Sequence, residues 1–124
     1  MAQDARRGPE DLFRGHPAGL AICRRVEEVV NGWGDATVTT TKSQVGFHHG
    51  RGFAYVWRPG QYVDSDVPAV VSFALPREVV SPRLKSVAHP APTTWMHHVE
   101  IRDIDEIDDE LCAWLAEAYD AAAR

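Results

Sequence analysis

The chain is poor in cysteine, in positive charge and in long apolar runs, and each shortage excludes a class of protein. Cys23 and Cys112 are its only cysteines, which are too few for a disulfide-rich secreted scaffold. The net charge is -5, whereas a protein that neutralises nucleic-acid phosphates needs a basic surface. The longest apolar stretch, residues 67–75, contains Pro68 and Ser72 and is far shorter than a membrane span. We therefore expect no nucleic-acid partner and no membrane insertion.

The N-terminus also lacks the apolar segment of a secretion signal. Arg6 and Arg7 are followed by Gly-Pro-Glu-Asp instead of apolar residues. We expect a cytoplasmic protein in which both cysteines remain reduced thiols among apolar neighbours on predicted helices. Residues 1–8 are polar and are predicted to be flexible.

The composition is that of one folded domain. Apolar residues account for 44% of the chain and charged residues for 25%, as in ordinary globular proteins. A length of 124 residues accommodates a single hydrophobic core. Because the sequence shows no repeat, no linker and no low-complexity tract, we predict a single domain over residues 1–124.

Helical periodicity marks one long segment near each end of the chain. The first helix is predicted to begin at Pro17 and to end at Gly32, after a short turn that begins at Pro9. Its apolar stripe consists of Ile22, Val26, Val29, Val30 and Trp33. The apolar face of the second helix consists of Ile104, Ile107, Leu111, Trp114, Leu115, Ala118 and Ala122.

An acidic cluster lies at the start of the second predicted helix. Its members are Asp105, Glu106, Asp108, Asp109 and Glu110. Carboxylates at this position are stabilised by the positive end of the helix dipole. We prefer this interpretation to a metal site or an acid–base pair, because acidic residues are common at helix starts without any chemistry.

The middle of the chain changes to the period of two residues that is typical of strands. Strands are predicted at residues 37–41, 43–49, 53–58, 69–75 and 95–101. The sequence His-Gly-Arg-Gly at 49–52 predicts a hairpin between the second and third strands. Residues 76–94 contain four prolines and are predicted to form a long excursion, with at most one helical turn near residues 82–85.

These elements predict an α+β fold. Short connections between consecutive strands favour antiparallel pairing, so we expect an antiparallel sheet of about five strands, with the N-terminal and C-terminal helices packed on one face. The strands at 53–58 and 69–75 carry apolar residues on both faces. Because two helices cover only one face, we expect the proline-rich excursion, a subunit partner or a ligand to cover the other. The pattern leaves open which residues face the helices.

Three motifs carry a family resemblance. They are Thr-Lys-Ser-Gln-Val-Gly-Phe at 41–47, Arg-Gly-Phe-Ala-Tyr-Val-Trp at 51–57 and Trp-Met-His-His-Val-Glu-Ile at 95–101. With them the chain resembles the domain-of-unknown-function 5655 family of small bacterial proteins, from about residue 17 to residue 119. The resemblance implies a small α+β domain, distantly similar to the compact folds of ligand-carrier and iron-chaperone proteins. It implies no established activity.

One set of polar and aromatic residues suits a small ligand. Lysine and arginine supply positive donors, glutamine supplies an adaptable amide, and tryptophan supplies a flat apolar platform. We predict a non-catalytic small-ligand or interaction domain, without a cofactor, that uses the sheet face opposite the helices. Its expected ligand is a small anionic or planar molecule. The candidate residues are Lys42, Gln44, Tyr55, Trp57, Arg58, Trp95 and His97. The alternative is that the aromatic residues belong to the core and the charges lie at strand ends in water.

The sequence leaves three other functions open. Two adjacent histidine pairs predict a metal-binding protein as one alternative, with His48, His98 and Glu100 as ligands, although no short metal-ligand spacing is present. A homodimer formed through the second sheet face is another. An enzyme has the least support. Ser43 would be its nucleophile and His97 its base, but Ser43 does not lie in the strand–turn–helix motif that activates a catalytic serine.

Overall fold

The structure is a computed structural model that describes residues 7–124. A short helix α1 (Pro9–Leu12) precedes the long helix α2 (Pro17–Asn31), and α3 (Asp109–Ala122) ends the chain. Six strands lie between them: β1 (Thr37–Thr40), β2 (Val45–His49), β3 (Arg51–Trp57), β4 (Ala69–Leu75), β5 (Leu84–Ala91) and β6 (Thr94–Ile101). Short 3₁₀ turns span Pro59–Gln61 and Ile104–Glu106. The flexibility predicted for the N-terminus falls largely on residues 1–6, outside the described residues.

All six strands form one sheet in the order β1-β2-β3-β4-β6-β5. Every neighbouring pair is antiparallel. The α+β class and the antiparallel sheet are therefore confirmed, with six strands in place of about five. The sixth strand, β5, lies at the edge of the sheet, and β6 returns to lie between it and β4.

The interpretation of residues 76–94 as an excursion without a strand was wrong, because residues 84–91 form β5. Pro82 lies in the turn before this strand, and Pro90 lies where the β5–β6 register is interrupted. Neither proline therefore removes a hydrogen bond from the regular ladder, as edge strands permit. Most β5 residues are exposed, so the strand lacks the apolar alternation by which strands are recognised.

The two long helices pack on the same face of the sheet. Helix α3 lies on β2, β3 and β4, while α2 contacts β4 and α3. The predicted stripes enter the core, and Ile22, Val26 and Val30 belong to the same buried cluster as Leu111 and Leu115. Burial of such apolar faces is the main favourable contribution to folding.

Ile104 was wrongly placed on the apolar face of the last helix. It lies in the 3₁₀ turn before α3 and is 47% exposed. The helix begins later because Asp108 is its N-cap, and the Asp108 carboxylate accepts a hydrogen bond of 3.1 Å from the Leu111 amide. That bond and the Arg83 guanidinium, which also pairs with Glu110, lower the pKa of Asp108. These carboxylates thus act in helix capping and ion pairing.

The β2–β3 hairpin is fastened to the end of α3. The predicted turn is present at Gly50, with φ of 80°, and is tighter than the sequence indicated because His49 and Arg51 already pair. The His49 ring stacks on Tyr119 at 3.7 Å, and its Nδ1–H donates to the Tyr119 carbonyl at 2.8 Å. The Tyr119 hydroxyl in turn donates to the Trp33 carbonyl at 3.2 Å.

His97 is a fully buried core residue. Its ring stacks on Phe73 at 5.1 Å, and Phe73 stacks on Trp114 at 5.6 Å. The Val79 amide donates to His97 Nε2 at 2.9 Å, so the neutral ring carries its proton on Nδ1. Burial lowers the pKa of His97. The ring therefore joins the chain that follows β4 to the core.

We expect the free energy of unfolding to fall as the pH drops below about 6.5, the ordinary histidine pKa. Burial lowers the folded-state pKa of both His97 and His98, so the unfolded chain binds more protons in this range. The stabilisation that the two neutral histidine rings contribute is fully present above their pKa in the unfolded chain. It is lost as the pH falls through their lower pKa in the folded protein. A His97→Gln variant keeps an acceptor near the Nε2 position without titrating.

Urea unfolding measured from about pH 8 to about pH 5 checks this expectation. The wild type should show a steep loss of stability and His97→Gln a shallower one, with His98 supplying what remains. Parallel profiles for the two proteins would contradict a titrating role of His97.

Candidate functional site

The sheet face opposite the helices, here called the open face, carries an aromatic cleft. Cross-strand pairing aligns Tyr55 with Ser72, Ser72 with His98, and Ala74 with Met96, so these side chains share that face. The cleft has a volume of about 380 Å³. Its lining consists of Gln44, Tyr55, Trp57, Tyr62, Ser72, Met96 and His98.

Three rings form one side of the cleft. The Trp57 ring lies edge-to-face with Tyr62 at 6.0 Å and with His98 at 6.2 Å. Tyr62 directly follows the Pro59–Gln61 turn, and its amide donates to the Pro59 carbonyl. The side-chain nitrogen Nε2 of Gln61 donates to the Ser43 backbone carbonyl at 2.8 Å. This bond ties the turn to the β1–β2 connection and holds Tyr62 beside the sheet.

Two strand glycines make room for the Tyr55 ring. A Cβ atom at Gly52 would lie 2.1 Å from the Tyr55 hydroxyl, and one at Gly46 would lie 3.3 Å from a Tyr55 ring carbon. Any larger residue at Gly52 would therefore have to displace Tyr55. Glycine in a strand interior commonly marks such a close approach.

A hydrogen-bonded chain runs across three strands beneath the cleft. Trp57 Nε1–H donates to Ser72 Oγ at 2.9 Å, and Ser72 Oγ lies 2.7 Å from His98 Nδ1. An indole nitrogen can only donate, so the serine oxygen accepts from Trp57. Ser72 is only 2% exposed, and a buried hydroxyl without partners is costly. These two hydrogen bonds thus satisfy the Ser72 hydroxyl and fix the positions of the Trp57 and His98 rings.

Among the described residues, the lining of the cleft contains no lysine, arginine, aspartate or glutamate. Burial lowers the pKa of His98, and the neighbouring His97 and Lys85 lower it further. His98 is therefore neutral at pH 7. Lys85 is paired with Glu100 at 2.9 Å, so its charge is compensated at the edge of the sheet.

The structure brings together three of the seven ligand-binding residues that the sequence predicted. Gln44, Tyr55 and Trp57 line the cleft. Lys42 is exposed in the turn before β2 and does not line it. Arg58 faces away from Trp57 and lines a different cleft, of about 310 Å³, at the start of α2.

The remaining two predicted residues lie on the helix-facing side of the sheet. Trp95 pairs with Leu75 and stacks on His89 at 3.9 Å, and His97 pairs with Phe73 in the core. Adjacent residues of a strand point to opposite faces, so His98 stands in the cleft where His97 had been expected. Sequence reasoning also missed three cleft residues, namely Tyr62, Ser72 and Met96.

The three predicted metal ligands are not brought together. His48 and His98 lie on β2 and β6, which β3 and β4 separate. Three strand spacings amount to roughly 14 Å, and Glu100 is engaged with Lys85. Within residues 7–124 no group of three histidine, cysteine or acidic side chains is placed to hold a metal ion.

Fold and cleft together define a small α+β domain with one covered and one open sheet face. The family model described as domain of unknown function (DUF5655) matches residues 10–122. Because the match spans nearly the whole chain, the protein belongs to this family, as the sequence motifs indicated. Comparisons with curated proteins and with solved structures each found no match. No helix within residues 7–124 is long and apolar enough to cross a membrane.

We expect Ser72→Ala to lower the free energy of unfolding by about 1–3 kcal/mol, because it leaves the Trp57 indole N–H and His98 Nδ1 without their shared partner. Ser86 pairs with His98 from the other side but is exposed on β5. The matched control Ser86→Ala should therefore change stability by less than about 0.5 kcal/mol. Urea unfolding of both variants measures the difference, and equal effects would contradict a structural role for the hydrogen-bonded chain.

Proposed function

We propose that this protein is a non-catalytic binding domain whose open-face cleft holds a small planar molecule. The observation that carries the proposal is the composition of the cleft. Its volume of about 380 Å³ lies in the range of roughly 300–1,000 Å³ typical of small-molecule sites. Aromatic walls with a few fixed polar groups are also typical of such sites.

The uncharged lining favours a planar molecule over a small anion. The two cations that motivated an anion, Lys42 and Arg58, do not line the cleft. Trp57, Tyr62 and Tyr55 offer flat apolar surface, and Met96 offers an adaptable thioether. A ligand with aromatic character would replace water on these surfaces at little electrostatic cost.

Binding without catalysis agrees with the state of the one serine–histidine pair in the cleft. Ser72 Oγ lies 2.7 Å from His98, but this serine is only 2% exposed and already accepts the Trp57 N–H. A nucleophile must reach its substrate. The alternative pair of Ser43 and His97 is not assembled, because His97 is buried in the core on the other face.

A homodimer that uses the same face is the alternative. Tyr62, which lines the cleft, and Val63, the next residue in the chain, are 63% and 58% exposed. A second copy would have to cover on the order of 800 Å² per subunit to form a stable dimer. Sedimentation velocity over a wide concentration range distinguishes a dimer from a ligand-binding monomer.

A cytoplasmic location is part of the proposal and is supported by the two free thiols. Burial raises the pKa of Cys23 to about 12, and burial also raises the pKa of Cys112. Thiols that stay protonated are poor nucleophiles and poor partners for oxidation.

We expect wild-type protein to bind planar bicyclic probes and Trp57→Ala to bind them at least about tenfold more weakly, since it loses the central ring of the cleft. Trp95→Ala removes a tryptophan of the same sheet outside the cleft and should keep the wild-type affinity. Ligand-observed NMR titration with naphthalene and isoquinoline measures this. The proposal fails if neither probe binds, or if both variants lose affinity equally.

A further inference from the structure

The hydrogen-bonded chain beneath the cleft has a direction that determines which nitrogen of His98 carries the proton. Ser72 Oγ accepts the Trp57 N–H, so its own proton is available for a second bond. His98 Nδ1 lies 2.7 Å away. If the serine donates to Nδ1, that nitrogen is bare and the proton of the neutral ring resides on Nε2.

The opposite direction is disfavoured by burial. If His98 Nδ1–H donated to Ser72, the serine oxygen would accept two hydrogen bonds and its own proton would need a further acceptor. No other side-chain bond of Ser72 exists within residues 7–124. At 2% exposure, an unpaired hydroxyl proton carries a penalty, so the structure selects the Nε2–H form of His98.

His98 Nε2 is left as a hydrogen-bond donor without a partner. No hydrogen bond of this atom is present in the described part of the chain, where the buried side-chain atoms without partners are Arg58 Nε and His97 Nδ1. Because His98 Nε2 has no partner and is not one of these buried atoms, it is reachable from solvent, on the side of the ring away from Ser72. Since His98 lines the cleft, a bound molecule can meet this donor.

This donor differs from the other polar groups of the cleft. The Gln44 amide and the Tyr55 and Tyr62 hydroxyls can each donate or accept by rotating. The His98 ring is held by Ser72 and packed against Trp57 at 6.2 Å. Its Nε2 therefore cannot become an acceptor without breaking the hydrogen bond between Ser72 and Nδ1. Fixed donors of this kind give a site its specificity.

We propose that the cleft selects planar aromatic molecules whose edge carries an uncharged hydrogen-bond acceptor, a ring nitrogen or a carbonyl oxygen, which binds to His98 Nε2–H. This inference rests on the proposed binding function and adds the ligand class to it. The acceptor is uncharged because none of residues 7–124 that line the cleft is a lysine or arginine that could neutralise an anion.

The decisive experiment compares isoquinoline with naphthalene, which has the same shape but lacks the ring nitrogen. We expect wild-type protein to bind isoquinoline about tenfold more tightly, the effect of one well-placed hydrogen bond. His98→Phe keeps a flat ring without the donor, so it should bind both probes equally. Ser72→Ala releases the tautomer and should reduce the preference, while the control Ser86→Ala should retain it.

The outcomes separate this inference from the proposed function. If neither probe binds wild-type protein, the proposed function itself fails. If both bind with equal affinity, the cleft binds planar molecules but the acceptor requirement is wrong. Nitrogen-15 spectra of the histidine side chains in ligand-free protein give an independent readout: a bare Nδ1 and a protonated Nε2 at His98 are expected, and a proton on Nδ1 would overturn the inference.

Discussion

Two helices of 15 and 14 residues cover one face of a six-stranded sheet, and the remaining features of the molecule follow from what this leaves on the other face. The core lies between the helices and the sheet, where Phe73, His97 and Trp114 stack in sequence. The open face keeps only partial cover, supplied by the chain that follows β3 and carries Tyr62. The proposed function rests on this half-covered face, because exposed apolar patches commonly mark binding sites.

Hydrogen bonds hold part of the cleft in place, as the proposed recognition of a ligand requires. Antiparallel registers of β3, β4 and β6 set Trp57, Ser72 and His98 side by side, and the hydrogen bonds among them leave one nitrogen facing outward. Groups fixed before a ligand arrives lose little conformational entropy on binding. The buried serine therefore acts as a positioning residue for both rings.

Much of the fold was predictable because it rests on local periodicity. The stripes of α2 and α3 follow from helical spacing, and the bounds of β4 follow from the prolines at 68 and 76 that flank it. The edge strand β5 was not predictable in this way, because an exposed strand with prolines at its irregular positions lacks the alternation of a buried strand. Ile104 was misplaced since an N-cap at Asp108 overrides the apolar period that continues through the preceding turn.

The candidate site was only partly predictable for a different reason. Gln44, Tyr55 and Trp57 share a face whichever side the helices occupy, given the β2–β3 pairing. The choice between His97 and His98 depends on which face the helices cover, and the sequence leaves that undecided. Ser72 gains its role only from the register that sets it between Trp57 and His98, and Tyr62 lies outside any regular strand.

The central claim, that the open face binds a planar molecule, is tested most directly by amide chemical-shift mapping. Isoquinoline is added to ligand-free protein at a concentration where the chain is monomeric, and the change in each amide shift is recorded. The account predicts that the perturbed amides cluster on β3, β4 and β6 around Trp57, Ser72 and His98. Shifts centred instead on the cleft that Arg58 lines beside the start of α2, or on Trp95 at the other face, would show that the open face is not the binding site.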